Sequence, residues 1–253
     1  MKKSTSKTTR SHLGGTLIGF AVIYTVLTVP IALYIMRDQA PADGDLPVPS
    51  AAATATPAQP VPEPLGMAQA MRTGTFIKIT LGLFACGFSM NLLGTHGMPM
   101  LIDHCFSATT SSLGIGLIGL VAIPSTLVLG RLADRVPRRK LLATIYLVRG
   151  LGFFALLSVQ APWELYAAAA IGGVVWAGSI ALSSAILADV YGVRLVGVLY
   201  GWAYLGHQAG ATLSSWLGGW GFEQFGTHWV AFGASGLLLL LAAGVSLRLP
   251  DRR

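Results

Sequence analysis

Seven apolar stretches constrain this chain more than anything else in it. They are roughly residues 13–36, 75–97, 112–130, 141–159, 164–187, 196–218 and 228–247. A bilayer core about 30 Å thick takes roughly 20 apolar residues per helix, and these runs have that length. Charged residues make up only 11% of the chain and apolar residues 53%. Soluble domains carry about 25% charged residues. The sequence therefore predicts an all-α integral membrane protein with about seven transmembrane helices.

The connections between the runs are short: Pro99 to Thr110, the basic stretch 131–140, Gln160 to Trp163, Ala188 to Arg194, and Gly219 to Thr227. The first run is too long for a signal peptide, whose apolar part spans roughly 7–15 residues, and Pro30 lies inside it. It reads as a true span behind a basic tail, residues 1–37 in all. Residues 38–72 differ sharply. They are rich in Pro, Ala, Thr and Asp, cannot bury enough apolar surface to order themselves, and read as a disordered linker. Residues 73–253 form the remaining six-helix body. Inside it, Gly197 and Gly201 stand four apart, as do Gly206 and Gly210. Small residues at that spacing let helix backbones approach closely in lipid.

Charge sets orientation. With the spans alternating, one side of the membrane collects Arg37, Arg72, the basic residues of 131–140, Arg194, Arg248, Arg252 and Arg253. The connections 98–111, 160–163 and 219–227 on the other side hold no Lys or Arg. The positive-inside rule makes the first side cytoplasmic, with the linker and the C-terminus there, in a cell inner or plasma membrane. Lys2, Lys3, Lys7 and Arg10 conflict with this, since an odd number of spans places them outside. The net charge of +7 sits in short loops beside spans, so it reports topology and not nucleic-acid binding. Two cysteines, Cys86 and Cys105, provide neither a disulfide framework nor a metal site. Cys86 reads as packing.

The densest charge cluster is Gly130-Arg131-Leu132-Ala133-Asp134-Arg135-Val136-Pro137-Arg138-Arg139-Lys140. Its spacing, G-x-x-x-D-R-x-x-R-R between two spans, resembles the signature loop of the major facilitator superfamily. LLATIYLVRG after the loop resembles bacterial members of the monocarboxylate and oxalate–formate branch. So do VGVLYGWAYLGHQAGATLSSWLGG running into GFEQFGTH, and Asn91, Thr95 and His96 followed by IDHCFS. One span, a linker and six spans look like the sixth helix, central loop and second half of a twelve-helix carrier, with helices one to five lacking. The resemblance implies secondary transport of a small solute, such as an organic anion, by alternating access. A proton can accompany it. It also implies a partner: a missing amino-terminal half or a second copy.

Within that resemblance Gly130, Asp134, Arg135, Arg138 and Arg139 form a cytoplasmic latch, the carboxylate pairing with a basic neighbour near a helix N-terminus of the opposite half. The plainer reading is that the basic residues only set topology. Arg149 lies inside a span, where a charge costs at least roughly 2.5–3.5 kcal/mol and usually faces a cavity or a partner. It could be the counter-charge for a solute, or snorkel or pair with a buried polar group. Lys78, nearer a span end, reads as snorkelling. His207 and Gln208, with Tyr204 one turn earlier, sit midway along a span. His207 could relay a proton or act as an interhelical donor. Asn91, Thr95 and His96 could line a pathway or serve as polar glue. Animal monocarboxylate carriers hold an acid and an arginine in the helix before the basic loop. Here 112–130 has no charge, so that pair does not carry over.

No cofactor, metal ion or catalytic constellation is read from the sequence. Gly233-Ala234-Ser235-Gly236 matches the G-x-S-G string of intramembrane serine proteases, but no histidine follows His228. A retinal protein would need a lysine within 228–247, and none is there. A membrane remnant that does not transport, or a half that only binds ligand or dimerises, is the rival to a carrier.

Overall fold

The structure, a computed structural model, describes residues 18, 19, 22–30, 33 and 66–250. It falls into two units, Met1–Pro62 and Glu63–Arg253. In the first, the described residues are helical and exposed for the most part, with Val22, Ile23, Tyr24 and Leu27 open to the surroundings. The basic tail, the Pro-rich segment up to residue 65, Arg37, Arg252 and Arg253 lie outside the described residues.

The second unit is a helix bundle. Its helices are α1 (Met67–Met71), α2 (Gly74–Asp103), α3 (Ala108–Arg135), α4 (Arg138–Leu157), α5 (Pro162–Val174), α6 (Gly178–Tyr191), α7 (Val193–Phe225) and α8 (Trp229–Ser246). No strand occurs among the described residues. Helix α1 falls at the end of the stretch read as linker; its five residues contain no proline, and Ala70 is fully buried.

Local chemistry fixes the breaks. Thr73 caps α2 by accepting from the Phe76 amide at 3.3 Å, and Ser107 caps α3 by accepting from Thr110 at 3.1 Å. Val136 is extended (φ −119°, ψ 146°), as the residue before a proline must be, and Pro137 then opens α4. Glu164 accepts the Gln160 and Ala161 amides at 2.8 and 3.2 Å, closing the start of α5. Gly226, at φ 63°, ends α7 in the left-handed conformation that a helix C-terminus favours.

The all-helical membrane class holds, and several finer expectations are corrected here. Five segments among the described residues are long and apolar enough to cross a membrane: α2, α3, α4, the α5–α6 pair and α8. The 33-residue α7 is long enough but too polar, because His207, Gln208 and several glycines interrupt its apolar run. It is nonetheless a full member of the bundle. The basic stretch 131–140 is not a loop: helix continues to Arg135, and only Val136 and Pro137 interrupt it. Charged side chains at a helix end can reach water without the backbone unwinding. The break expected at Ala188–Arg194 shrinks to Gly192, and α7 runs on past Gly219 to Phe225. Pro99 lies within α2. The run 164–187, read as one helix, is interrupted at residues 175–177.

The helices pair as α2 with α7, α4 with α8, and α3 with α5. α2 and α7 run parallel and close. A Cβ on Gly210 would lie 3.0 Å from the Phe84 carbonyl carbon and 3.1 Å from the Phe88 nitrogen. One on Gly206 would meet Thr80 Cγ2 at 2.7 Å, and one on Gly87 would land on the His207 carbonyl. The Gly206–Gly210 pair thus performs the close approach its spacing predicts, whereas Gly197 and Gly201 face open space.

Candidate functional site

Alternation of the helices gathers distant residues at one end of the bundle. There Arg138 Nη1 donates to Asp189 at 2.7 Å and to the Ala185 carbonyl at 3.1 Å, while Nη2 lies 3.7 Å from Asp134. Arg139 donates to the Leu249 carbonyl at 3.4 Å, and Lys78 to the Arg248 carbonyl at 2.9 Å. Lys78, read as snorkelling, is thus tied to the chain after α8. The Thr73 and Tyr191 hydroxyls bond to one another at this end too. Asp134 pairs only loosely and is 70% exposed. Together with Gly130 and Arg138 it lines the mouth of an apolar groove between α3 and α6, of about 160 Å³, floored by Leu129, Ala133, Gly178 and Leu182. Arg135 and Arg131 flank a separate shallow recess on α3. Within the signature stretch, then, Arg138 and Arg139 are held by the bundle while Asp134 and Arg135 stand outward.

A second constellation lies deep in the bundle. Arg149 on α4 is buried. Its Nη2 donates to the carbonyls of Val175, at 2.7 Å, and of Trp176. Its Nη1 lies 3.2 Å from the Cys86 sulfur, and its guanidinium carbon sits 5.2 Å from the centre of the Trp176 ring. The interruption at 175–177 explains this. A helix that stops leaves its last carbonyls without intrahelical partners, and lipid supplies no donor. Gly172 and Gly173 weaken the helix just before the stop. The guanidinium satisfies the freed carbonyls, and a cation is favoured at a helix C-terminus. No carboxylate pairs with Arg149 among the described residues. Its Nε has no hydrogen-bond partner.

Around this cation the structure assembles groups that the sequence scatters. Cys86 Sγ lies 3.2 Å from Ser179 Oγ and 3.6 Å from Met90 Sδ. His207 on α7 is buried and faces the same sulfur. Its ring stacks on Tyr204 at 4.6 Å, and its Nδ1 is 3.3 Å from Gln208 Oε1. His207 Nε2, Tyr146 Oη and Ser183 Oγ are buried without a well-formed hydrogen bond, Tyr146 facing Ser183 and His207 facing Cys86. Cys86 is therefore not mere packing, as its apolar span suggested, but part of a polar cluster. Ser179, Tyr146 and the Trp176 carbonyl also escaped the sequence reading. A cation in the facing span was the one available signal.

Asn91, Thr95 and His96 do not join that cluster. Asn91 Nδ2 donates to the Ala211 carbonyl (2.7 Å) and to the hydroxyls of Ser214 (3.1 Å) and Ser215 (2.6 Å), tying α2 to α7. Thr95 donates to the Asn91 carbonyl at 2.8 Å and bonds His96 Nδ1 at 2.8 Å. The polar-glue alternative describes Asn91. At the end of the bundle opposite Arg138, His228 Nε2 meets Asp103 at 3.0 Å and its ring stacks on Phe222, a contact the sequence did not suggest.

Comparison with known proteins agrees with this architecture. Over 184 residues the chain is 27% identical to an uncharacterized MFS-type transporter, YcxA, of Bacillus subtilis (strain 168). That alignment covers 70% of this chain and 42% of the relative, so the chain spans less than half the relative's length. Residues 79–253, from early in α2 through α8, match the Major Facilitator Superfamily model. With its apolar helices, that match identifies a multi-pass membrane protein, and the chain belongs to the Major Facilitator Superfamily.

Proposed function

We propose that this chain takes part in secondary transport of a small organic anion, with Arg149 as the charge that recognises it. The observation that carries the proposal is a buried guanidinium, deep among four helices, that no carboxylate neutralises among the described residues. An uncompensated cation in lipid is expensive and usually marks a solute or ion path. Arg149 is the natural mate for a carboxylate, since its Nε is buried without a hydrogen-bond partner and the guanidinium is always charged. A monocarboxylate is the simplest such solute, and the buried His207 Nε2 is a candidate carrier of an accompanying proton.

Carriers of this architecture hold solute near the midplane between two six-helix bodies that rock against each other. In the proposal the second body is the missing amino-terminal half or a second copy of the chain. The basic end with Arg138 and Arg139 faces the cytoplasm, as do the linker and the C-terminus, and Asp134 and Arg135 are poised to meet the second body. The rival reading is a half that binds ligand or pairs with itself without transporting.

The test is uptake of lactate, formate and oxalate by proteoliposomes containing the protein, with and without Arg149→Gln. Uptake of one of the three that falls about tenfold or more in the variant is the expected result, since leaving one partner of a buried charge pair unmatched costs about 2–5 kcal/mol. Unchanged uptake removes Arg149 from the mechanism. Binding without uptake selects the rival.

A further inference from the structure

Cys86 is the group this account of function leaves unused, and its surroundings do not suit a structural thiol. Buried cysteines in apolar surroundings are inert, whereas reactive ones sit in electropositive niches. Cys86 Sγ lies 3.2 Å from the Arg149 guanidinium on α4 and 3.2 Å from Ser179 Oγ on α6. From α7 it is faced by His207, whose Nε2 is buried without a well-formed hydrogen bond. The other titratable groups near it are Tyr146 on α4 and Tyr200 on α7. No carboxylate competes for the guanidinium among the described residues. Cys86 itself is fully buried; Met90, whose Sδ lies 3.6 Å from the sulfur, and Trp176 are half-buried.

We infer that Cys86 is a nucleophilic thiol, assisted by Arg149 and His207, and is the chain's site of covalent modification by small uncharged electron-poor alkenes. Arg149 steadies the negative charge that develops on sulfur, and Ser179 Oγ can donate to it. His207 Nε2 takes the thiol proton. The sulfur electron pair forms the new S–C bond to one alkene carbon as the π bond opens, and the resulting enolate takes up one proton. The product is a thioether, and no oxidant or reductant is involved. An uncharged reagent suits the site because a second cation would meet Arg149, which lies 3.2 Å from the sulfur. This inference stands apart from the solute proposal, although both use Arg149 and His207.

The experiment treats the full chain in detergent with N-ethylmaleimide and follows the mass of the intact protein. A Cys105→Ser background leaves Cys86 as its only cysteine. One adduct should form without denaturant, and none should form in Cys86→Ser/Cys105→Ser. In the same background Arg149→Gln should slow the reaction about tenfold or more, the equivalent of about 1.4 kcal/mol. Arg149→Lys, which keeps the charge, should restore most of the rate. If Arg149→Gln loosens the fold and quickens labelling, His207→Gln decides: a severalfold drop supports the assignment, and an unchanged rate overturns it. A Cys86 that reacts only after denaturation also overturns it. Prior addition of lactate, formate or oxalate separates the two proposals. Fast labelling that depends on Arg149 and that no anion slows keeps this site and counts against the anion reading.

Discussion

Arg149 shows how one side chain can carry two kinds of work. It closes the carbonyls of an interrupted helix through Nη2 while its Nη1 edge meets Cys86. Its position in a span was legible from sequence, because a lone cation in an apolar run stands out. Its partners were not, since Cys86, Val175 and Trp176 lie 63, 26 and 27 residues away. Asn91 is a simpler case. Replacing it with Leu removes three donated bonds across the α2–α7 seam. The loss should be about 0.6 kcal/mol for each bond and at most about 1.7, the average and maximum measured for single interhelical hydrogen bonds in a membrane protein. Reversible unfolding in mixed detergent would read it, and unchanged stability would remove Asn91 as the seam's polar anchor.

Among the helices, the seam between α2 and α7 rests on missing side chains. Gly210→Leu would drive carbons into the backbone at Phe84 and Phe88, where no rotamer change gives relief. Overpacking a core with flexible neighbours costs about 1–3 kcal/mol, and backbone neighbours should push the cost to that upper end or beyond. Gly197→Ala, with open space around it, is the control and should be neutral. Thermal melting in detergent distinguishes them, and equal midpoints would refute the seam. Sequence reading recovered the helices because apolar runs of bilayer length have few other solutions. It misplaced their ends at Arg135, Tyr191 and Phe225, where helix outlasts the apolar run. It missed the interruption at 175–177, where Arg149, on another helix, donates to two carbonyls.

Across the whole molecule, the outer face of α3 is apolar and open, with Leu120, Ile123 and Leu127 each about two-thirds exposed. Such a surface suits lipid tails, as the family assignment requires. Orientation is checked by an impermeant thiol reagent on a Cys86→Ser/Cys105→Ser protein in intact cells. Thr109→Cys should label from outside, and Arg131→Cys only after the membrane is opened. The reverse pattern would invert the proposed topology. Gly192 carries a last consequence. It alone joins α6 to α7, at φ 78°, and leaves the reversal no slack. A one-residue joint favours their entering the bilayer as a pair. During biosynthesis the more polar α7 would be drawn in on the heels of its apolar neighbour, so lengthening that elbow with a flexible insert should strand α7 at the surface.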